Sequence, residues 1–412
     1  MVRQLTHYFK MAAVIARCAK PSAGLSTWPS ARPLCFLAGA RVRSSCLFAP
    51  GPSNCPRVGS ACTLGGSNND SNNNMSHRRN GNTRRPHLPR IEASAALSSA
   101  ATQQSVVRPA GAAKLESIDF NPNASSALTP VVIMHGLLGN SRNFQGWGSK
   151  LVKSLDQERR VLAVDMRNHS ASSHHESMTD VNMADDVLEV LADKGLSEAV
   201  LIGHSMGGKA AAMTALLHPE VVKGLVIMDI APVSYSMVDA TNWGETQKII
   251  EAIHKMPLDE VTSRRDADEL LAKDIVDPAL RAFAVTNLDK DSATGGWAWR
   301  INIDAIQRSM GTLAQFDSGK QHREEIQGRL VGGGGGRADA DKDELGSYKG
   351  DTLFVAGGTS RYIRSQHLKE IGKLFPKFVV STIKGAGHWV HADNPAETLR
   401  LAKSFLDRPE LE

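Results

Sequence analysis

The residue best placed for covalent chemistry is a serine between two glycines. Ser205 lies in the stretch Gly203-His204-Ser205-Met206-Gly207, which follows the apolar residues 199–202 and precedes the small-residue run 210–212. A strand, a sharp turn and a helix in this order are the context in which G-x-S-x-G presents a serine hydroxyl at the apex of the turn. Glycine suits both flanking positions because a Cβ there would separate the strand from the helix. The stretch therefore predicts Ser205 as a nucleophile.

A serine nucleophile needs a neighbouring base, and His388 is the candidate. A serine hydroxyl is poorly nucleophilic near neutral pH, whereas histidine has an ordinary pKa of about 6.5 and can take its proton. His388 follows the glycine-containing turn 385–387 after the last predicted strand, 378–383. It falls at the carboxyl end of the sheet, where ligands bind in open α/β folds. His391 lies beyond this turn, and the elbow holds His204 in another direction, so His388 is predicted as the general base.

Two aspartates compete for the acid that orients the base. The expected chain order is serine, acid, histidine, with the acid usually in the turn after the strand predicted at 352–356. That turn, 357–362, contains Ser360 and no carboxylate. Asp229 ends the strand that follows the elbow helix and is the preferred acid. Asp304, farther along the chain, is the alternative.

Backbone amides are predicted to stabilise the oxyanion. One donor is the N–H of Met206, directly after the nucleophile. The second is expected from the turn His135-Gly136-Leu137-Leu138-Gly139, with the N–H of Leu137 as the donor.

The surrounding pattern alternates strands with helices. Short apolar runs are typical of strands buried on both faces, and the runs between them have helical periodicity. Strands are predicted at 130–134, 160–165, 199–202, 225–229, 352–356 and 378–383, and helices at 144–155, 181–191, 365–375 and 396–406. The fold class predicted is α/β: an α/β-hydrolase-like, mostly parallel sheet flanked by helices, within a domain spanning 115–409.

The alternation is interrupted at 233–327, which has helical segments and no run that indicates a strand. Because this is too long for a loop, it predicts an inserted helical cap. Phe283, Trp297 and Trp299 are candidates for the substrate pocket wall, although all three could instead be core residues of the cap. The glycine- and aspartate-rich insert 331–346 predicts a flexible surface loop.

The N-terminal region differs in composition from the rest. Residues 1–115 contain fifteen Lys/Arg but only Asp70 and Glu92 as acids, whereas 116–412 contain 33 basic and 41 acidic residues. The formal charge of +5 is thus an average of two unlike parts and does not indicate nucleic-acid binding. Residues 1–93 are typical of an organelle transit peptide and disordered extension, with the chloroplast preferred over the mitochondrion. A disordered tail without a targeting role is the alternative.

Other features exclude some classes of site. All five cysteines precede residue 63, and neither a CxxC pair nor a zinc-like Cys/His cluster occurs. No apolar run reaches the length of a membrane span. We therefore expect no metal, no cofactor and no transmembrane segment.

Several longer motifs resemble one family. The residues that carry the resemblance are His135-Gly136-Leu137-Leu138-Gly139, Asp165-Met166-Arg167-Asn168-His169, Gly203-His204-Ser205-Met206-Gly207-Gly208-Lys209, Asp229-Ile230-Ala231-Pro232-Val233, Trp299-Arg300-Ile301-Asn302 and Gly387-His388-Trp389-Val390-His391-Ala392-Asp393. With these motifs, residues 130–406 resemble the cap-bearing α/β-hydrolases, specifically the group around abhydrolase domain-containing protein 11 and its small bacterial esterase relatives. The resemblance implies carboxylic-ester hydrolysis, and within the family either the Asp229 or the Asp304 position is assigned as the acid. Ser170 departs from the family pattern, which often has glycine there.

The sequence thus predicts a serine esterase that acts on a small-molecule ester through an acyl-serine intermediate. A thioesterase or amidase would keep the same triad, and a non-catalytic ligand receptor on a hydrolase fold is the alternative from another class. The physiological acyl donor and the oligomeric state stay open.

Overall fold

The computed structural model of the protein describes residues 106–124, 128–235, 240–316 and 346–411. The predicted transit peptide at 1–93, the end of the predicted cap and all but the last residue of the insert 331–346 lie outside the described residues.

Nine strands and ten α-helices are found in these described ranges. The strands are β1 (Ser117–Asp119), β2 (Val131–Met134), β3 (Val161–Val164), β4 (Ala199–His204), β5 (Val222–Met228), β6 (Leu288–Lys290), β7 (Trp297–Trp299), β8 (Asp351–Gly357) and β9 (Phe378–Ile383). The helices are α1 (Gln145–Ser154), α2 (Asp180–Asp193), α3 (Met206–Leu217), α4 (Ala240–Lys255), α5 (Arg264–Leu271), α6 (Pro278–Val285), α7 (Ile303–Ala314), α8 (Leu368–Leu374), α9 (Val390–Asp393) and α10 (Pro395–Leu406).

Seven of the described strands form one sheet in the order β1-β3-β2-β4-β5-β8-β9. All neighbours are parallel except β1, which pairs antiparallel with β3. The central strands are buried on both faces, and two apolar clusters flank the sheet. Continuous apolar runs such as Val131–Met134 form these strands because helices cover both faces of a parallel sheet. The predicted α/β-hydrolase fold class is confirmed.

The region after β5 contains a feature that the sequence prediction missed. Residues 233–327 were expected to hold helical segments without a strand, but β6 and β7 pair there as an antiparallel hairpin. Both strands have only three residues, which is too short for an alternating pattern to emerge. The strand β1 was missed for the same reason.

The register of the sheet brings the turns after five strands to one edge. Met134 of β2 pairs with Gly203 of β4, and His204 pairs with Met228 of β5. The turns that leave β2, β4 and β5 are therefore neighbours at the carboxyl edge. The β5–β8 and β8–β9 pairings bring the last two turns to the same edge.

No helix among the described residues is long and apolar enough to cross a membrane.

Candidate active site

Ser205 lies at the apex of the turn between β4 and α3. Its backbone has φ +51° and ψ −116°, a conformation that non-glycine residues seldom adopt and that is often found at functional sites. A Cβ on Gly203 would lie 2.2 Å from the carbonyl oxygen of Gly207, and one on Gly207 would lie 2.6 Å from the carbonyl oxygen of His135. Only glycine at both positions allows the strand, the helix and the β2 turn to approach this closely.

The structure brings His388 to Ser205. The Nε2 atom of His388 lies 3.0 Å from Ser205 Oγ, which is hydrogen-bond distance. The ring of Tyr362 packs against the imidazole, with 4.2 Å between ring centroids. The carbonyl of His388 accepts a hydrogen bond of 2.9 Å from His204 Nε2, which fixes the backbone of the turn.

The structure also brings Asp229 to His388. Asp229 Oδ2 lies 2.8 Å from His388 Nδ1, and the Asp229 side chain is fully buried. Its Oδ1 atom accepts a hydrogen bond of 2.8 Å from the N–H of Gly357, and its Oδ2 atom accepts another from Ser360 Oγ. Ser360, which the sequence places where a carboxylate is more usual, is thus a hydrogen-bond donor to the carboxylate that comes from β5.

Asp304 lies in a different environment. It stands in the first turn of α7, its side chain is 67% exposed, and its Oδ1 atom accepts a hydrogen bond of 3.0 Å from His254 Nε2. The structure therefore pairs His388 with Asp229 and pairs Asp304 with a histidine of the cap.

The two predicted oxyanion donors border the same pocket as Ser205. Met206 is the first residue of α3, so its N–H has no intrahelical acceptor. In the described part of the chain, neither this N–H nor that of Leu137 donates to a protein acceptor. Both amides are thus available to a substrate oxygen.

Two buried histidines hold the turn that carries Leu137. The N–H of Met166 donates to His135 Nε2 at 2.8 Å, so the ring hydrogen is on Nδ1, which lies 2.8 Å from the carbonyl oxygen of Gly136. The N–H of Leu138 donates to His169 Nε2 at 3.2 Å, and His169 Nδ1 lies 2.8 Å from the Arg167 carbonyl oxygen. Burial lowers the pKa of His135 and lowers that of His169 to about 3, so both rings are neutral at pH 7. Neither histidine was among the site residues predicted from the sequence.

Two further histidines pack behind the elbow. Burial lowers the pKa of His204 well below its usual value, and it lowers the pKa of His391 to about 3. The rings lie 4.7 Å apart between centroids, and His391 stacks on Phe144. The other histidines of these motifs are thus buried neutral groups that support the turns, while His388 faces the serine.

An apolar pocket with a cavity volume of about 80 Å³ opens beside Ser205 and His388. Most of its lining is aliphatic or aromatic and comes from both the sheet edge and the cap; it includes Leu137, Ile230, Ile249, Leu280, Phe283 and Leu313. Phe283, which was predicted for the pocket wall, is one of these lining residues.

Trp297 and Trp299 do not border this pocket. They are on β7, where they pair with Lys290 and Leu288 of β6. The ammonium of Lys290 lies 4.4 Å from the ring centroid of Trp297, and the guanidinium of Arg264 packs on the same ring. These tryptophans pack within the cap because the hairpin, which the sequence did not predict, directs them there.

Lys209 joins the elbow helix to the cap. Its Nζ atom donates to the carbonyl of Leu313 at 2.6 Å and to that of Gln315, both at the C-terminal end of α7. Asp180 Oδ2 lies 3.9 Å from the same Nζ. Burial lowers the pKa of Lys209 and raises that of Asp180 to about 6.

Comparisons with known proteins agree with this geometry. A family model described as the alpha/beta hydrolase fold matches residues 129–395. The sn-1-specific diacylglycerol lipase ABHD11 of Mus musculus is 33% identical over 287 residues, which cover 69% of this chain and 83% of that protein. Esterase YbfF of Escherichia coli (strain K12) is 28% identical over 280 residues, covering 68% of this chain and 93% of that protein. The solved structure of a marine microorganism esterase aligns with a TM-score of 0.60 and 28% identity, covering 72% of this chain and 100% of the other.

Proposed function

The chain belongs to the α/β-hydrolase family, and on this premise we propose that it is a serine hydrolase that cleaves carboxylic esters of small acyl groups through an acyl-serine intermediate. Relatives named as lipases and esterases support hydrolase activity in general. The observation that carries the more specific proposal is the line of hydrogen bonds from Asp229 through His388 to Ser205.

In the first half of the proposed reaction, Ser205 Oγ attacks the ester carbonyl while His388 Nε2 takes its proton. The buried carboxylate of Asp229 accepts from Nδ1–H, so it fixes the tautomer that leaves Nε2 free to act as a base and stabilises the imidazolium that forms. The N–H groups of Leu137 and Met206 donate to the developing oxyanion. His388 then protonates the departing alcohol, which leaves the acyl group on Ser205.

In the second half, a water molecule takes the place of the alcohol. His388 removes a proton from the water as it attacks the acyl carbonyl, and the same amides hold the second oxyanion. Collapse of this intermediate releases the carboxylic acid and returns the proton to Ser205 Oγ.

The pocket supports an apolar acyl group as the part of the substrate that is recognised. The lining residues named above are hydrocarbon side chains, and Lys209, which also borders the pocket, has its ammonium bound to carbonyl oxygens of the cap. An uncharged acyl chain would therefore be preferred over a charged one, because the described lining residues offer no free charge to compensate for its desolvation.

A fluorophosphonate probe tests the nucleophile. We expect the probe to label the wild-type protein on the peptide that contains Ser205, and we expect no labelling of Ser205→Ala. Equal labelling of both proteins, or no labelling of a folded wild-type protein, would contradict the proposal.

A substrate panel tests the acyl group and the leaving group. It should contain aryl esters of increasing chain length, the matching thioesters, and a diacylglycerol, since relatives are named sn-1-specific diacylglycerol lipases. We expect the highest kcat/KM for uncharged short acyl esters. A panel in which the thioester is cleaved much faster than the ester would replace the esterase assignment by that of a thioesterase.

We also propose that residues 1–93 target the protein to an organelle, with the chloroplast preferred. The support is the near absence of acidic residues from this arginine- and serine-rich region. Mass spectrometry of the protein purified from its native cells should find an N-terminus near residue 94, whereas a mature protein that begins at Met1 would contradict this assignment.

A further inference from the structure

Leu138, in the turn that carries the proposed oxyanion donor, is in a strained conformation. Its φ is +62°, in the left-handed region that a branched, non-glycine side chain rarely adopts, and its side chain is buried. Such a conformation persists only where the surroundings fix it. The Leu137 N–H lies in the adjacent peptide group, whose Gly136 carbonyl also accepts from His135 Nδ1, so the direction of this N–H depends on the conformation of Leu138 together with His135.

Both peptide groups of Leu138 are held by side chains from other segments. On one side, its N–H donates to His169 Nε2 at 3.2 Å. On the other side, its carbonyl accepts a hydrogen bond of 2.8 Å from Asn287 Nδ2, which comes from the cap. Because both side chains are almost fully buried, no solvent is available to replace these hydrogen bonds.

Asn287 is itself firmly held in the cap. It lies between α6 and β6, where its N–H donates to the carbonyl of Ala284 at 3.0 Å and its carbonyl accepts from the N–H of Arg300 at 2.7 Å. Only its side chain leaves the cap, to reach Leu138. The side-chain amide of Asn287 thereby couples the position of the cap directly to the oxyanion turn.

The same part of the cap also holds the loop that carries His169. The N–H of Asn302 donates to the carbonyl of Asn168 at 2.9 Å, and Arg300 donates to Ser170 Oγ at 2.7 Å. Asn168 and Ser170 both have positive φ, so this loop too is held in a strained form. The serine that departs from the family pattern thus accepts a hydrogen bond from the cap.

We propose that Asn287 and His169 are positioning residues of the oxyanion hole: together they clamp Leu138, and through it the N–H of Leu137, so that docking of the cap completes the catalytic site. This inference rests on the proposed serine-hydrolase function and adds a role for the cap besides forming the pocket wall. If the clamp is lost, Leu138 relaxes towards an ordinary conformation and the Leu137 N–H turns away from the oxyanion.

The main test compares Asn287→Ala with Thr286→Val. Thr286 is the neighbouring cap residue, and its Oγ1 donates only to Phe283 within the cap, so Thr286→Val also loses one hydrogen bond but leaves the clamp intact. With an aryl ester, we expect Asn287→Ala to lower kcat by about tenfold to a hundredfold. This decrease would not exceed the decrease caused by removing an oxyanion donor outright. KM should change by less than about twofold. Thr286→Val should retain wild-type kinetics.

An inhibitor pair separates oxyanion stabilisation from pocket binding. A trifluoromethyl ketone that carries the acyl chain of the substrate adds Ser205 Oγ to its carbonyl and places an oxyanion in the hole, whereas the corresponding alcohol cannot. For Asn287→Ala we expect the Ki of the ketone to rise by the same factor by which kcat falls, with the Ki of the alcohol unchanged. A parallel rise in both Ki values, or wild-type values of kcat and of the ketone Ki in a folded variant, would overturn the proposal.

His169 provides a second, independent pair of variants in case Asn287→Ala does not fold. Glutamine can place an amide oxygen near the position of Nε2 and accept from the N–H of Leu138, whereas leucine cannot. We expect His169→Gln to recover most of the kcat that His169→Leu loses, at similar melting temperatures. Equal kcat values for these two variants would overturn the proposal, while the fluorophosphonate result would still decide the proposed function separately.

Discussion

The carboxyl edge of the sheet and the cap contribute to the same site by different means. At the sheet edge, strand register and close backbone packing bring Ser205, His388 and Asp229 together, and a Cβ on Gly203 or Gly207 would collide with backbone atoms. The cap contacts the site through a few side-chain hydrogen bonds. Asn287 donates to Leu138, and the carbonyls at the end of α7 accept from Lys209. The sheet edge thus positions the reacting groups, while the cap forms part of the pocket wall and holds the oxyanion turn in its strained conformation.

The largest expected effect is on kcat, and it should differ between an aspartate of the sheet edge and an aspartate of the cap. Asp229→Asn should lower kcat on a short-chain aryl ester by about 10⁴-fold, because an amide favours the wrong tautomer of His388. Asp304→Asn, in the cap, should leave kcat within about twofold, since the side chain is largely exposed and contacts His254. If Asp304→Asn lost its activity while Asp229→Asn kept it, the catalytic acid would be Asp304 of the cap and the assignment of Asp229 would be wrong.

The sheet edge was also easier to predict from the sequence than the cap. The central strands are continuous apolar runs buried on both faces, and Ser205 follows one of them. His388 follows β9, a half-buried strand that still begins with an apolar run. Both residues lie in glycine-containing turns, so residue type and order were enough to nominate them. Asp229 and Asp304 could not be separated by spacing alone, because the choice depends on which strand is next to β4 in space.

The cap was less predictable for a physical reason. Its hairpin consists of two three-residue strands, and the direction of Trp297 and Trp299 depends on a pairing that leaves no periodic pattern. The role of His169 was missed because a single histidine in a polar turn does not reveal that burial will make it a neutral acceptor. Tertiary contacts, rather than local sequence, determine both features.

The next effect tests the contact between the two regions. Lys209→Met keeps most of the side-chain volume but leaves two cap carbonyls without their donor. It also removes the positive charge that lies 3.9 Å from the buried Asp180 carboxylate. We expect the free energy of unfolding in urea to fall by about 3 kcal/mol. Adding Asp180→Asn should recover part of this loss, because the uncompensated charge is removed.

The matched control for Lys209 is Lys153→Met, at an exposed position near the end of α1. It should change the free energy of unfolding by less than about 0.5 kcal/mol. Equal stabilities of the Lys209→Met and Lys153→Met proteins would show that the lysine does not hold the cap.

A smaller effect compares one glycine from each region. Gly203→Ala should lower the free energy of unfolding by about 1–3 kcal/mol, because the added Cβ would lie 2.2 Å from backbone and the elbow would have to open. Gly311, in α7 of the cap, has open space around the Cβ position, so Gly311→Ala should stabilise the protein by up to about 1 kcal/mol. Similar destabilisation by both substitutions, measured by chemical denaturation, would contradict the difference in packing.

A further expected effect concerns acid stability. Burial lowers the pKa of His391 to about 3, so the unfolded chain binds a proton below about pH 6.5 that the folded protein does not. The free energy of unfolding of the wild-type protein should therefore fall as the pH drops from about 7 to about 5. Over this interval the free energy of unfolding of His391→Leu should fall by about 2 kcal/mol less than that of the wild-type protein. Gly311→Ala, which removes no ionisable group, should follow the pH dependence of the wild-type curve. If His391→Leu follows it too, the histidine is not a buried neutral group.

The most direct test of the central claim is to trap the acyl group. Wild-type protein mixed rapidly with a slowly deacylating aryl ester, quenched in acid and digested, should contain the acyl mass on the peptide with Ser205, in an amount that matches the initial burst of the phenol. Asp229→Asn should form this adduct far more slowly, and Ser205→Ala should not form it. Ester turnover by wild-type protein without an acyl group on Ser205, or undiminished turnover by Ser205→Ala, would contradict the account.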